Sequence, residues 1–568
     1  MPRLQSALTA SLAGLALAAC AHSSAEQANL PGATDAADTG EIIVASARRE
    51  ADAMSRADRI YAAKSVAPAP TGVVSSMPMM AYEPRQPMPR QYVGRDKFTV
   101  VAENAFKVAR EEPVSTFSID VDTASYAFVR ASLNQNLLPQ PAAVRAEEMI
   151  NYFSYNYGRP ATAEQPFSSN VAVFPCPWSA GRKLVRIGIK GYTIQQATRP
   201  RANLVFLIDT SGSMSEENKL PLVQKSLSML LDRLDPRDSV AIVTYAGTAG
   251  TALEPTPASQ KAKIRAVIDN LGAGGSTAGA EGIRQAYALA EQNLDPKGVN
   301  RVILATDGDF NVGITNQDEL KGYIERERGK GVFLSVLGFG MGNYNDALMQ
   351  ALAQNGNGTA AYIDTVAEAR KTLVDEATST LFPIAKDVKI QVEFNPATVS
   401  EYRLVGYETR MLNRDDFDND KVDAGDVGSG QTVTALYEIV PVGGPRAIPD
   451  LRYGTPAARP APATLASEYG FIKIRYKLPK SDTSRLISTP IDRAAEFARF
   501  ENAPADARFA ASVAAFAELL RGGRYVGSMS YDDILTIANG ARGEDAFGYR
   551  AEFIQLVRAA KAARALPS

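Results

Sequence analysis

The stretch Asn203-Leu204-Val205-Phe206-Leu207-Ile208-Asp209-Thr210-Ser211-Gly212-Ser213-Met214 decides the fold. Residues 204–208 are apolar without a break, as in a strand buried on both faces, and D-x-S-x-S follows where that strand must turn. Outward from it, short apolar runs recur at 240–245, 302–305, 333–339 and, more weakly, 360–363. Amphipathic helical stretches separate them, among them KLPLVQKSLSMLLDRL (219–234), AGAEGIRQAYALAEQNL (278–294) and NQDELKGYIERERGK (316–330). Strands apolar on both faces that alternate with helices predict an α/β fold: a doubly wound, mostly parallel sheet covered on both sides.

In such a sheet, ligands bind in the crevice at the carboxyl ends of the strands. Asp209, Ser211 and Ser213 leave the first strand there. Gly274-Gly275-Ser276-Thr277-Ala278-Gly279 opens a helix and offers Thr277, and VILATDGDF (302–310) brings Thr306-Asp307-Gly308 to the same edge. Oxygen donors from three loops suit a hard divalent cation such as Mg2+.

D-x-S-x-S, then a threonine, then T-D-G, in this order and spacing, resembles the metal-ion-dependent adhesion site of von Willebrand factor type A domains. The resemblance spans about residues 200–380 and implies that Asp209, Ser211, Ser213, Thr277 and Asp307 hold Mg2+ or Mn2+. It makes Ser211, Ser213 and Thr277 hydroxyl ligands, with Asp209 and Asp307 binding directly or through water. It also implies one open coordination position, completed by a partner's carboxylate. Flanking segments such as STFSIDVDTASYA, RAEEMINYF, PCPWSAGRKLVRIGIKG and DVKIQVEFNPATVSEYRLVGYE resemble a narrower family, the bacterial von Willebrand lipoproteins of the YfbK kind, from about 98 to 560.

Around the α/β region the period changes to two. Val185, Ile187 and Ile189 alternate before it; Val388, Ile390, Val392 and Phe394, then Val433, Ala435, Tyr437 and Ile439, then Ile472, Ile474, Tyr476 and Leu478 alternate after it. These are half-buried antiparallel strands. Neither set makes a complete sandwich, so the type A domain is expected to be inserted in one antiparallel β-domain. Phe509, Val513, Phe516 and Leu520 have helical spacing, and Gly522 suits a helix C-terminus. The expected divisions are 1–19, 20–95, 96–199, 200–382, 383–480 and a helical 481–568.

The chain opens with MPRLQSALTASLAGLALAAC, whose apolar stretch is too short to span a bilayer and fits a signal peptide. Leu17-Ala18-Ala19-Cys20 resembles a bacterial lipobox, which implies lipidation of Cys20 and a membrane anchor; Ala21 after it resembles an outer-membrane address. Residues 21–95, rich in Ala, Ser, Pro and Met, read as a flexible tether, interrupted by an apolar, basic patch at 40–49.

Composition removes other functions. The 568 residues hold 61 Lys plus Arg, 63 Asp plus Glu, two Cys and one His. A net charge of -2 gives no basic surplus for nucleic acid. A Cys/His zinc site or a disulfide framework cannot be built, and Cys176, between Pro175 and Pro177, reads as a packed apolar residue. Gly272-Ala273-Gly274-Gly275-Ser276-Thr277 lacks the last glycine of a dinucleotide loop, and Ser211 has no histidine to activate it. Asp416-Phe417-Asp418-Asn419-Asp420 starts like a calcium loop, but Lys421 replaces the required glycine, and a hydrophilic turn is the simpler reading. Asp120 and Asp122 are expected to face solvent, as are the arginines of 485–564.

The sequence therefore points to a lipid-anchored envelope protein that binds a protein partner with an exposed Asp or Glu through a Mg2+-type site. Met214, Phe310 and Tyr344 are expected to form an apolar rim around it. The alternative is a structural envelope-assembly factor in which the metal only stabilises the fold; a metal-assisted hydrolase ranks third, and no enzymatic activity is expected.

Overall fold

A computed structural model describes residues 96–119, 122–275, 279–308, 317–342, 344–449 and 467–565, and the statements below concern these. Ala202–Asp209 is a strand in which every residue is buried, and the same holds for Val299–Thr306 beside it. They are the centre of a six-stranded sheet ordered Ala360–Ile363, Val332–Phe339, Val299–Thr306, Ala202–Asp209, Ser239–Tyr245, Ala249–Pro257. The first five run parallel and the last pairs antiparallel. Odd-numbered Val205 and Leu207 pack with helices Gly279–Gln292 and Asp346–Asn355. Leu204, Phe206 and Ile208 pack on the other side with Leu220–Arg233 and Lys261–Asp269. Helices on both faces are why the strand is apolar throughout.

The edge strand Ala249–Pro257 has no counterpart among the apolar runs of the sequence. Its Pro255 and Pro257 are tolerated because an edge strand owes no hydrogen bonds on its outer side.

Two antiparallel sheets lie beside the parallel one. One is ordered Lys107–Val108, Val399–Val405, Thr432–Pro441, Lys183–Gly191, Phe167–Pro175; the other Met411–Leu412, Val114–Ser118, Pro383–Phe394, Glu468–Lys477, Ser484–Asp492. Their inner faces share one core, in which Val185, Ile187 and Ile189 meet Ile390, Val392, Phe394, Ile472 and Ile474. Val185 pairs with Tyr437, Ile187 with Ala435 and Ile189 with Val433, so strands from before and after the α/β region are neighbours. Ser429 receives a hydrogen bond at its hydroxyl from Ile194 N (2.8 Å), and its own N–H donates to Phe382 O (2.9 Å).

Several expectations are corrected. Three strands expected to be half-buried, Lys183–Gly191, Thr432–Pro441 and Pro383–Phe394, are buried on both faces, because their outer faces are covered too. Leu184 and Leu436 pack under the C-terminal helices, Lys389 sends its ammonium to the Asp416 carbonyl (2.9 Å) of an overlying segment, and Gln391 donates to Thr116 (3.2 Å). Ser484–Asp492 is a strand inside the stretch expected to be helical; as an edge strand it leaves Leu486 exposed and lacks a buried stripe. Asp122 does not face solvent. The strand Val114–Ser118 ends before it, and Asp122 accepts from Ala360 N (2.8 Å) and Arg410 (2.9 Å) just ahead of helix Ala124–Asn134. Asp120 lies outside the described residues.

Helices Ala505–Arg521, Tyr531–Ala541 and Tyr549–Ala565 cover the outer face of the first antiparallel sheet together with Ala146–Asn151. Phe509, Val513, Phe516 and Leu520 are buried there as expected. The N–H groups of Gly522 and Gly523 close the end of the helix on Leu519 O (3.2 Å) and Glu518 O (2.8 Å). Two of the arginines expected to be solvated are not: Arg521 pairs with Glu408 (2.9 Å), and Arg550 pairs with Asp506 (2.8 Å) while lying on the Phe509 ring. Carboxylates distant in the chain from each arginine decide this, and the local sequence of each helix does not show the pairing.

Buried ion pairs tie the α/β region to its surroundings. Arg130 binds Asp364, Glu368 (2.8 Å) and Glu552 (3.2 Å), and Arg145 binds Asp346 (2.8 Å).

Candidate metal centre

The carboxyl end of strand Ala202–Asp209 turns sharply because the chain must leave the sheet plane. Thr210 N donates to Tyr245 O (2.9 Å), Ser211 N donates to Asp209 Oδ1 (2.8 Å), and a short 3-10 turn, Gly212–Ser215, follows. Ser211 Oγ and Ser213 Oγ stand 3.0 Å apart. Asp209, Ser211 and Asp307 are buried, and Ser213 is exposed. Thr306 Oγ1 donates to Asp209 Oδ2 (3.4 Å), which links the second strand's end to the first. Gly308, at φ 98, turns the chain away directly after Asp307, a conformation that favours glycine.

The third loop is sewn to the first. Gly274 N donates to Thr210 O (2.7 Å) and Gly212 N to Gly275 O (3.1 Å). Thr277, two residues on, lies outside the described residues, as does Phe310. The loops thus bring Asp209, Ser211, Ser213 and Asp307 to one sheet edge.

Burial raises the Asp209 carboxyl above the usual carboxylate range; hydrogen bonds from Ser211 oppose this, and neighbouring Asp307 adds to it. Asp307 Oδ1 is buried and has no hydrogen-bond partner among the described residues. An orphaned anionic oxygen beside a second carboxylate and two hydroxyls is an all-oxygen donor set, which fits a hard cation. Among the described residues no group of three or more His, Cys, Asp or Glu is placed to hold a metal. The fit therefore rests on hydroxyls as much as on carboxylates.

Sequence reading missed Lys219. Its ammonium donates to Ser213 O (3.0 Å) and to Asp307 Oδ2 (3.3 Å), although the side chain is almost wholly buried. The signal was present: a lysine just before helix Leu220–Arg233 is at the unfavourable end of the helix dipole, so another partner must hold it.

The expected apolar rim is not formed by two of its three members. Met214 and Tyr344 are buried; Met214 faces the core under the turn, and the Tyr344 ring packs against the Tyr362 ring at 5.0 Å.

Other candidates resolve simply. Asp418 and Asp420 of the calcium-like loop both bind Arg475 (3.4 and 3.1 Å), and Asp416 accepts from Asn413 N (2.9 Å). Cys176 is a buried free thiol, pushed well above its ordinary range by burial and by Glu438. Cys20 and the tether lie outside the described residues, and no helix among the described ones is long and apolar enough to cross a membrane.

Comparison with known proteins yields three family profiles: "von Willebrand factor" over residues 92–186, "von Willebrand factor type A domain" over 203–376, and "Uncharacterized protein YfbK, C-terminal" over 379–563. Escherichia coli (strain K12) "Uncharacterized protein YfbK" is 44% identical over 474 residues, covering 82% of this chain and 81% of its own. Human inter-alpha-trypsin inhibitor heavy chain H4 is 30% identical over 227 residues, 38% of this chain and only 24% of that protein. A solved von Willebrand factor type A protein from Catenulispora acidiphila overlaps 72% of this chain and 91% of its own, at 14% identity and TM-score 0.40, too distant to bear on the site.

Proposed function

The chain belongs to the YfbK family and carries a von Willebrand factor type A domain, and from this premise we propose that it is a metal-dependent protein-binding module of the bacterial envelope. Asp209, Ser211, Ser213, Thr277 and Asp307 would hold Mg2+ or Mn2+. When bound, the cation supplies a Lewis-acidic position that accepts a carboxylate from an Asp or Glu of a partner. The observation that carries the reading is the buried, unpartnered Oδ1 of Asp307 beside Asp209 and the paired serine hydroxyls. This chain's own part is to hold these oxygens in place: the Ser211 N–H orients Asp209, and Lys219 orients Asp307.

The type A domain is read as an insert in the antiparallel β-domain. The hydrogen bonds of Ser429 to both of its flanks, at Ile194 and Phe382, support this. Cys20 is the proposed lipidation site, anchoring the protein to a membrane, the outer one by the Ala21 signal, with residues 21–95 as tether. Cys20→Ser should release the protein from membranes; normal processing and retention of that variant would remove the anchor from the proposal. No substrate turnover is expected.

A second reading, an assembly factor in which the metal only stabilises the fold, draws on the ion pairs of Arg130 and Arg145, which brace the domain from outside. Affinity capture from detergent-solubilised membranes separates the two. Under the first reading capture is lost in EDTA, returns with Mg2+ or Mn2+, and fails with Asp307→Ala. Capture that persists in EDTA and with Asp307→Ala, accompanied only by a lower melting temperature, would leave the second.

A further inference from the structure

Away from the metal centre, a cleft of about 880 Å3 opens between the outer face of an antiparallel sheet and the C-terminal helices. Arg186 lines it, on strand Lys183–Gly191. The residue is 5% exposed, no carboxylate lies within ion-pair distance of it among the described residues, and its Nε has no hydrogen-bond partner. Its compensation comes from Tyr157, whose ring lies 4.7 Å from the guanidinium carbon and whose hydroxyl accepts a hydrogen bond from the side chain, but neither carries a charge. Tyr157 can lie there because residue 188 is glycine: a Cβ at Gly188 would stand 2.4 Å from the ring. On the neighbouring strand Asn170, whose backbone pairs with Gly188, lines the same cleft with a buried Nδ2 that also lacks a partner.

A buried guanidinium without a counter-charge is costly, and so is a buried amide donor without an acceptor. Among the described residues five acids line the cleft and none relieves either: Glu544 is exposed and pairs with neither donor, and the other four are engaged. Asp506 is taken by Arg550 (2.8 Å), Asp375 by the Tyr549 hydroxyl (3.0 Å), Glu376 by Lys371 (2.6 Å) and Asp545 by the N–H groups of Arg550 (3.1 Å) and Ala551 (2.8 Å). Two donors are therefore left over on one wall while every one of these acceptors is engaged. At the mouth, Phe547 is 60% exposed and stacks on Tyr549 with ring centroids 5.7 Å apart, an apolar platform open to solvent.

We propose that this cleft is a second binding site, which takes a monoanionic carboxylate on an aromatic or apolar body: the carboxylate is held by Arg186 and Asn170, and the body rests on Phe547 and Tyr549. A planar carboxylate matches the guanidinium fork in two parallel hydrogen bonds. The lining carries five carboxylates against the cations Arg186, Lys371 and Arg550, so repulsion grows with the charge of the ligand and disfavours a doubly charged phosphate more than a monoanion. The site uses none of the metal-centre residues, so it stands or falls apart from the function proposed above.

The test is calorimetric titration of the full chain in detergent solution with four probes: N-acetylphenylalanine, its amide, a short peptide ending in a free phenylalanine carboxylate, and inorganic phosphate. Both free acids should bind, the amide at least tenfold more weakly, and phosphate not at all. A peptide at least tenfold tighter than N-acetylphenylalanine identifies a chain terminus as the source; equal affinity identifies a small acid. Arg186→Gln should abolish binding, and Phe547→Ser, at an exposed position, should weaken it severalfold. The acid-against-amide comparison needs no variant, so it holds even if Arg186→Gln does not fold. Equal binding of acid and amide, absence of binding by both acids, or unchanged affinity in a folded Arg186→Gln protein would overturn the proposal.

Discussion

The Lys219 ammonium stands 3.3 Å from Oδ2 of Asp307, while the other oxygen of that carboxylate has no hydrogen-bond partner among the described residues. A built-in cation thus neutralises half of a buried anion and leaves the other half available. A divalent ion arriving at Asp307 would feel both the attraction of the carboxylate and the repulsion of the lysine. Lys219→Met should therefore tighten Mg2+ binding, by about tenfold, or about 1.4 kcal/mol. The same variant should melt lower than wild type without metal, since Asp307 loses its counter-charge. Titration calorimetry with and without Mg2+, beside thermal melts, checks both; weaker Mg2+ binding would show that Lys219 positions the carboxylate more than it opposes the ion.

Metal binding should need donors from separate loops. Asp209→Ala removes a buried carboxylate, and Thr277→Ala removes a hydroxyl from another loop. Each should weaken Mg2+ or Mn2+ binding at least about tenfold, or about 1.4 kcal/mol, with far-ultraviolet circular dichroism unchanged. Wild-type affinity in Asp209→Ala would refute the ligand assignment.

Arg130 is enclosed by Asp364, Glu368 and Glu552 and donates also to the Tyr152 hydroxyl (3.0 Å). Arg130→Ala strands two buried carboxylates at once. It should cost about 3–5 kcal/mol in urea denaturation, as is typical for removing one partner of a buried ion pair. A loss below about 1 kcal/mol would mean that water reaches the cluster.

Glu147 carries a pH dependence. Burial raises its carboxyl to about 7, and Glu408 and Glu148 add to the shift; its Oε2 lacks a hydrogen-bond partner. The unfolded chain releases this proton near pH 4.5 and the folded chain near pH 7. In that window the folded state binds more protons, so stability falls as pH rises from about 4.5 to about 7 and is level above it, by up to about 3 kcal/mol. Glu147→Gln should remove this decline and melt higher than wild type at pH 8. Melts across pH 4–8 with parallel slopes for both proteins would exclude the assignment.

Much of this was written in local pattern. The continuous apolar run at 204–208 and the period-two runs of 388–394 and 433–439 are properties of single elements, and each became a strand, although the two period-two runs are buried on both faces instead of half-buried. The D-x-S-x-S turn placed Asp209, Ser211 and Ser213 together because five consecutive residues leave them no other arrangement at a strand end. Ala249–Pro257 escaped notice for the complementary reason: an edge strand with little to bury carries little pattern.

What the sequence alone determined, then, was the identity of the elements and the chemistry at the sheet edge. Tertiary structure alone decided who meets whom across long separations. Arg130 finds Glu552, Arg410 finds Asp122, and Arg186 finds no acid at all. Nothing near Met214 or Tyr344 in the chain foretells that their side chains turn into the core. Periodicity records how an element divides between water and interior, and that is a local property. The partner of a buried charge depends on which distant surfaces are pressed together, and only the packed fold fixes that.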